Sequence, residues 1–237
     1  PNVDHNINKL LRNGMIDYLT LSLPKVYHGI VTKELLDNIK MRTGHYFGGL
    51  SPDIFSSISL SFLAQNFIEI DYPFSIAGAC ESSTTAQNLV GSHRGELKTA
   101  PHLYLRGNYI WDKRIPSFYS VETIWAESAI KSFVELKKEH LLKDFKYSYF
   151  ILFALWRGKG IRKLILRETI NTRESLLKKT LLAINVLFVS IPFVFEKIFK
   201  LINKKDNNTN RVIEIKNIKS AADSIMEFIP KYFPFNN

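Results

Sequence analysis

The stretch that decides the fold is residues 44–62, which read GHYFGGLSPDIFSSISLSF. Ser51 is a preferred helix N-cap, Pro52 is favoured at the first helical position, and Asp53 suits the positive end of a helix dipole. Apolar residues then recur at every fourth position, which is the spacing of one helix face. The stretch therefore predicts a helix over residues 51–65 with a carboxylate in its first turn.

Three glycines stand within residues 44–49, just before that helix. Glycine adopts positive φ at little cost and lets a ligand approach the backbone closely. Helix initiation explains Asp53, but it does not explain this run of glycine. Gly48 and Gly49 are therefore candidate substrate-binding residues. Two interpretations of Asp53 stay open: a helix start alone, or a reactive carboxylate that the turn positions.

The chain around this stretch has a mixed α/β pattern from about residue 15 to 79. Residues 16–23 (IDYLTLSL) and 26–31 (VYHGIV) predict strands from their β-branched and aromatic content. Residues 32–42 (TKELLDNIKMR) predict a helix capped by Thr32. Residues 67–78 are typical of extended chain, interrupted at Pro73.

The rest of the chain changes from irregular to helical. Residues 80–118 are polar and rich in small hydroxyl residues, which is typical of a functional or mobile loop. Residues 120–136 (SVETIWAESAIKSFVEL) predict a helix with Glu122 in its first turn, where Glu122 and Trp125 start and pack the helix rather than catalyse. Basic, apolar helices follow to about residue 203, before a polar linker and a tail.

Composition limits the class of protein. A chain of 237 residues with 46% hydrophobic content is long enough for one large domain or a domain with an appendage. Its single cysteine, Cys80, excludes an internal disulfide and a cysteine-based zinc cluster, and is most simply a small buried residue. The chain begins at Pro1 without a signal segment, so we expect it to be part of a longer protein.

The net charge of +10 is concentrated in one part of the chain. Residues 131–205 hold 17 Lys and Arg against 6 Asp and Glu, whereas the remainder holds 15 against 16. Residues 180–195 carry no charge, a run shorter than the roughly 20 residues that span a bilayer. These helices suit either a protein core or the surface of an anionic membrane, and we favour the membrane. Long aliphatic runs between the basic residues make nucleic acid an unlikely partner.

Four segments together resemble the acceptor-side half of bacterial family 2 glycosyltransferases, which are inverting enzymes of the GT-A fold. The resemblance covers about residues 15–140 and is carried by residues 23–62, residues 68–84 (IEIDYPFSIAGACESST), residues 91–97 (GSHRGEL) and residues 119–130 (YSVETIWAESAI). It implies an α/β fold: an incomplete GT-A domain at residues 1–140, followed by a basic, apolar helical region at 141–205 and a linker and tail at 206–237.

The resemblance also implies roles for individual residues. Asp53 becomes the general base that takes the proton from the acceptor hydroxyl. His28 lines the acceptor side, although a histidine in a half-buried strand is often structural. His93 and Arg94 lie in a loop that contacts the donor diphosphate or metal, with His93 as a metal ligand; a solvated turn is the alternative for both.

The family uses a divalent cation, Mn²⁺ or Mg²⁺, held by an Asp-x-Asp motif. This chain has no Asp-x-Asp motif, so the resemblance puts the donor-binding half before Pro1. A helix N-terminus is expected to keep Asp53 ionised and to lower its pKa. The chain alone is not expected to turn over.

Two functions follow as expectations. The first is transfer of a sugar from a nucleotide-sugar donor to a glycan or lipid-linked acceptor in cell-surface polysaccharide synthesis, at the cytoplasmic face of the membrane. The second is a noncatalytic membrane-surface module that binds glycans or scaffolds a polysaccharide assembly complex.

Overall fold

The computed structural model describes residues 2–70, 93–101, 103, 106–173, 175–202, and 219–227 without 221 and 225. These residues are mainly helical. The described elements are α1 (Val3–Arg12), α2 (Lys33–Thr43), α3 (Pro52–Leu63), β1 (Gly95–Glu96), β2 (Phe118–Tyr119), α4 (Val121–Glu135), α5 (Tyr147–Arg157), α6 (Arg162–Asn171) and α7 (Leu176–Ile202). Short 3₁₀ turns lie at Tyr18–Thr20, Val26–His28, Leu97–Thr99 and Glu139–Asp144.

The sheet in the described residues has only two strands. β1 and β2 are antiparallel, with Gly95 opposite Tyr119 and Glu96 opposite Phe118. The α/β prediction therefore agrees with the structure only loosely, and the GT-A topology stays a prediction. Cys80, the interrupted segment after residue 70, the first part of the polar loop to residue 92 and the linker lie outside the described residues.

The strands predicted at residues 16–23 and 26–31 are wrong, because both segments form 3₁₀ turns. The apolar residues of the first segment are nonetheless buried, namely Ile16, Tyr18, Leu21 and Leu23. These side chains enter the core from a chain that turns at residues 18–20, where the Leu21 N–H bonds the Tyr18 carbonyl. Burial of β-branched and aromatic side chains thus does not by itself create a strand partner.

The helix predictions are confirmed where the chain carries its own start and stop signals. The Thr32 hydroxyl accepts the Leu35 N–H at 3.4 Å, and Gly44 ends α2 in the left-handed conformation at φ +84°. Ser51 occupies the N-cap of α3, but its side chain makes no capping hydrogen bond. Ser120 and Thr123 form a reciprocal capping box at the start of α4.

Helix α1 had no counterpart among the predictions. The Asn2 side chain accepts the His5 N–H at 2.9 Å as its cap, and Ile7, Leu10 and Leu11 face the interior. Both signals are visible in the sequence, a polar cap followed by apolar residues at helical spacing.

The main core joins α1, α3, α4 and α5. Helices α3 and α4 pack side by side, and the deepest residues include Ile58, Ala129, Phe133 and Phe150. The predicted boundary at residue 140 therefore falls within one packed core. The described residues up to Pro192, apart from Ile70, form this compact unit, and the residues from Phe193 onward belong with Ile70 to a second.

Candidate functional site

Asp53 stands in the first turn of α3 and its side chain is half-buried. The Tyr18 hydroxyl donates a hydrogen bond to Asp53 Oδ2 at 3.5 Å. Tyr27 lies within hydrogen-bonding reach of the same carboxylate, and the His28 imidazole is close enough to act on its charge. The structure thus brings together two of the predicted site residues, Asp53 and His28, and adds two phenols.

Burial raises the pKa of the Asp53 carboxyl above its usual range. Hydrogen bonds from its own backbone N–H, Tyr18 and Tyr27 pull that pKa down, but they do not outweigh the loss of water. The prediction that the helix N-terminus lowers this pKa is therefore wrong. The reason is that the turn of α3 is packed against Tyr18 rather than open to solvent.

Tyr18 is a fixed wall of this site. It is 3% exposed, and its ring packs edge-on against Trp125 with centroids 4.8 Å apart. Burial and the Asp53 carboxylate raise the pKa of the Tyr18 phenol, so it stays protonated and acts as a donor. Trp125 therefore supports the residue that holds Asp53.

The turn before α3 is pressed against α4. The backbone N–H groups of Leu50 and Ser51 both donate to Ser128 Oγ, at 2.9 and 2.8 Å. Gly49 has φ +64°, and a Cβ there would lie 2.7 Å from the Ser128 Cβ. A Cβ at Gly48 would overlap the rings of His45 and Phe55. The two glycines are needed for this close packing.

The same glycines line an open cavity of about 360 Å³. Its lining consists of His45, Gly48, Gly49, Arg106, Asn108, Tyr109, Ile110, Lys131 and Glu135. His45 Nε2 lies 2.9 Å from Glu135 Oε2, and the Lys131 ammonium lies 5.4 Å above the centre of the Tyr109 ring. Sequence reasoning missed this site, although charged residues at positions 127, 131 and 135 of an apolar helix, one turn apart, were its signal.

Glu127 lies behind the wall of this cavity and is fully buried. The Tyr109 hydroxyl donates to Glu127 Oε2, whereas Glu127 Oε1 has no hydrogen-bond partner. Burial raises the pKa of Glu127 to about 7, opposed by the Tyr109 hydrogen bond and the Lys131 charge. A carboxyl at this depth is protonated for part of the physiological pH range.

His93 and Arg94 lie at a different place, beside β1. His93 is 4% exposed, and its Nδ1 lies 2.6 Å from the Tyr119 hydroxyl. Arg94 Nη1 donates to the Arg157 carbonyl at 2.5 Å. Both side chains are held by the fold as observed, so contact of either with a diphosphate or a metal stays a prediction.

The residues that the structure describes contain no group of three or more His, Cys, Asp or Glu side chains that fits a metal ion. His93 in particular is packed against Tyr119. A divalent cation, with His93 as one of its ligands, therefore stays a prediction.

No family model matches the chain, and neither a curated protein nor a solved structure is significantly similar to it.

Proposed function

We propose that this chain is the acceptor side of an inverting glycosyltransferase, with Asp53 as its general base. The observation that supports it best is the half-buried Asp53 carboxylate, held by Tyr18 and Tyr27 at the start of α3. A base works best when its pKa approaches the working pH, and burial moves the pKa of Asp53 in that direction.

In the proposed sugar transfer these residues have defined roles. Asp53 accepts the proton of an acceptor hydroxyl as that oxygen forms its bond to the anomeric carbon of the donor. The bond from that carbon to the diphosphate breaks, and the nucleoside diphosphate leaves with the electron pair. Tyr18 and Tyr27 hold the carboxylate, while the donor is bound by other residues of the protein.

The direct test replaces Asp53 in the protein expressed from its complete open reading frame. UDP-, GDP- and dTDP-sugars are supplied with a set of methyl glycosides, and nucleoside diphosphate release is measured. Asp53→Asn should lower release by about 10²–10⁴-fold, whereas Asp37→Asn, at an exposed carboxylate of α2 paired with Lys33, should not. Equal rates for Asp53→Asn and its parent would contradict the proposal.

A second observation supports membrane association, with or without catalysis. Residues Leu176–Phe195 of α7 are long and apolar enough to cross a membrane, and only 6% of that stretch is buried. Large apolar side chains are exposed along it: Leu176, Leu177, Leu181, Ile184, Leu187, Phe188, Ile191, Val194 and Phe195. An exposed apolar surface of this extent needs a covering, and a bilayer supplies one.

Basic residues close to this helix in the sequence select the kind of bilayer. Lys178 stands in the first turns of α7, and α6 exposes Arg162, Lys163 and Arg167 together with Leu166 and Ile170. Cations mixed with apolar side chains suit an anionic membrane surface. We therefore infer that α6 and α7 bind anionic lipid, which agrees with the membrane-surface module as the alternative function.

Vesicle sedimentation tests this second proposal with the full chain. Binding should be strong to phosphatidylcholine vesicles containing phosphatidylglycerol and weaker to phosphatidylcholine alone. Phe188→Ser with Ile191→Ser, both 72% exposed, should reduce binding about tenfold or more, while Leu19→Ser should not. Equal binding by these variants, or no binding to anionic vesicles, would exclude the membrane contact.

A further inference from the structure

The cavity beside Gly48 and Gly49 is separate from the Asp53 carboxylate. Trp125 of α4 packs on Tyr18, the partner of Asp53. The cavity lining includes neither Asp53 nor Tyr18, and at about 100° per residue its two α4 residues, Lys131 and Glu135, project about 120° and 80° around the helix from Trp125. The cavity therefore opens on a different side of α4 and is a second site.

The polar lining of the cavity both donates and accepts hydrogen bonds. Arg106, Asn108 and Lys131 offer donors, and Glu135 and the His45 ring offer acceptors. The side chain of Tyr109 adds an aromatic wall. A hydroxyl group can donate and accept at once, so a ligand with many hydroxyls satisfies both kinds of group.

The charges of the lining disfavour strongly ionic ligands. Arg106 and Lys131 oppose a cation, while Glu135, with Glu127 behind the wall, opposes an anion. The volume of about 360 Å³ is at the lower end of the range for ligand sites. A neutral, hydroxyl-rich molecule with the size of a sugar ring fits both limits.

Glu127 gives this site a buried support. Its carboxyl is fully buried with one oxygen unpartnered, which is costly, and the other oxygen holds the Tyr109 hydroxyl. Lys131 lies over the face of that same Tyr109 ring. Two side chains of α4 thus fix Tyr109 as a rigid wall of the cavity.

We propose that this cavity is a saccharide-binding subsite, distinct from the Asp53 site. It rests on the proposed function in one respect: the saccharide is taken to be a unit of the acceptor glycan, bound away from the reacting hydroxyl. A second point of attachment retains a growing chain between transfers, because the bound unit raises the local concentration of the chain end.

Saturation-transfer NMR on the full chain tests the subsite. The probes are methyl glucosides, methyl galactosides and methyl N-acetylglucosaminides, with inorganic phosphate and acetate as anionic comparisons. Asn108→Ala and Lys131→Met should each weaken glycoside binding about fivefold or more. Lys33→Met, at an exposed lysine of α2, serves as the matched control.

The outcomes separate this inference from the proposed catalytic role. If Asp53→Asn kept full transfer activity while Asn108→Ala and Lys131→Met still weakened glycoside binding, the transferase would fail and the subsite would stand. Any of three results would overturn the subsite. The glycosides do not bind, both cavity variants bind them as the parent does, or phosphate alone shifts the amide signals of Gly49 and Tyr109. The amide chemical shifts of Gly49 and Tyr109 are measured in the parent chain, so this part of the test does not require the variants to fold.

Discussion

The Tyr18 hydroxyl donates to Asp53 Oδ2 at 3.5 Å across 35 residues of sequence, and burial raises the pKa of both groups. The Tyr18 phenol is protonated and faces a carboxylate with a raised pKa. The two groups therefore form a stable hydrogen-bond donor and acceptor. The pair fixes the direction of Asp53 and keeps the carboxylate out of water, which are the two properties that a general base needs.

Tyr18→Phe should change the pH dependence of transfer more than the fold. The ring keeps its edge-on contact with Trp125, but Asp53 loses a hydrogen bond that lowers its pKa. The pKa of Asp53 therefore rises further, and the acid limb of the pH–rate profile should move to higher pH. The bond is long, so we expect a rate loss of about tenfold or less. Tyr46→Phe, whose hydroxyl bonds Asp37, is the control. A limb that moves to lower pH would refute the assignment.

Glu127→Gln should flatten the dependence of stability on pH. The pKa of Glu127 is raised to about 7 from an ordinary 4.5. Protonated Glu127 therefore stabilises the fold fully below pH 4.5, and this stability is lost as pH rises through about 7. The parent should lose about 3 kcal/mol of unfolding free energy across that interval.

The Gln variant has no charge to bury, so it should be more stable than the parent by a similar amount at pH 8 and equal at pH 4. Chemical denaturation at each pH measures this, with exposed Glu34→Gln as control. The groups that act on the Glu127 carboxyl are Tyr109, Lys131 and Asp112. A parent whose stability rises between pH 5 and 7 while the Gln variant stays flat would contradict the expectation.

The sequence predicted the parts of the fold that depend on neighbours in the chain. Helices α2, α3 and α4 were predicted within a few residues because Thr32, Pro52 and Ser120 mark their starts. The segments at 16–23 and 26–31 failed because a strand needs a partner, and partner choice is set by distant residues. Residue content alone could not distinguish a strand from a turn that buries its apolar side chains.

The site divides in the same way. Asp53, Gly48 and Gly49 were proposed as site residues because one short stretch carries them, and their roles stay predictions; His28 does lie near Asp53. Tyr18 was not predicted, because its hydrogen bond to Asp53 joins residues that are 35 positions apart in the sequence. The cavity was not predicted for the same reason. Its lining comes from three segments, residues 45–49, 106–110 and 131–135, and no local sequence pattern indicates that they meet.

Gly49→Ala should destabilise the protein more than Gly44→Ala. Both glycines have positive φ, +64° and +84°, so each substitution costs about 1–2 kcal/mol for the backbone. At Gly44 a Cβ meets nothing within 4 Å, whereas at Gly49 it lies 2.7 Å from Ser128. Overpacking adds about 1–3 kcal/mol there. Thermal and denaturant unfolding measure the difference, and equal losses would show that the turn can move away from α4.

Ser128→Ala should loosen the turn that carries the glycines. Ser128 Oγ accepts two buried backbone N–H groups, those of Leu50 and Ser51, and alanine leaves both without a partner. Each unsatisfied N–H costs about 1–3 kcal/mol, so the total loss should be about 2–6 kcal/mol. Ser61→Ala is the control, because the Ser61 hydroxyl bonds only the Ser57 carbonyl within α3 and its loss should cost less than about 1 kcal/mol.

Amide hydrogen exchange separates this local effect from general destabilisation. In Ser128→Ala the Leu50 and Ser51 amides should exchange faster by more than the loss of global stability explains, since their bonds open without unfolding α4. Ser128→Cys keeps the side-chain volume but offers a weak acceptor, so it should fall between parent and alanine. If Ser128→Cys matched the parent in both stability and exchange, the volume of the side chain rather than its hydrogen bonds would hold the turn. Glycine at position 49 would then be needed only to leave room for that side chain.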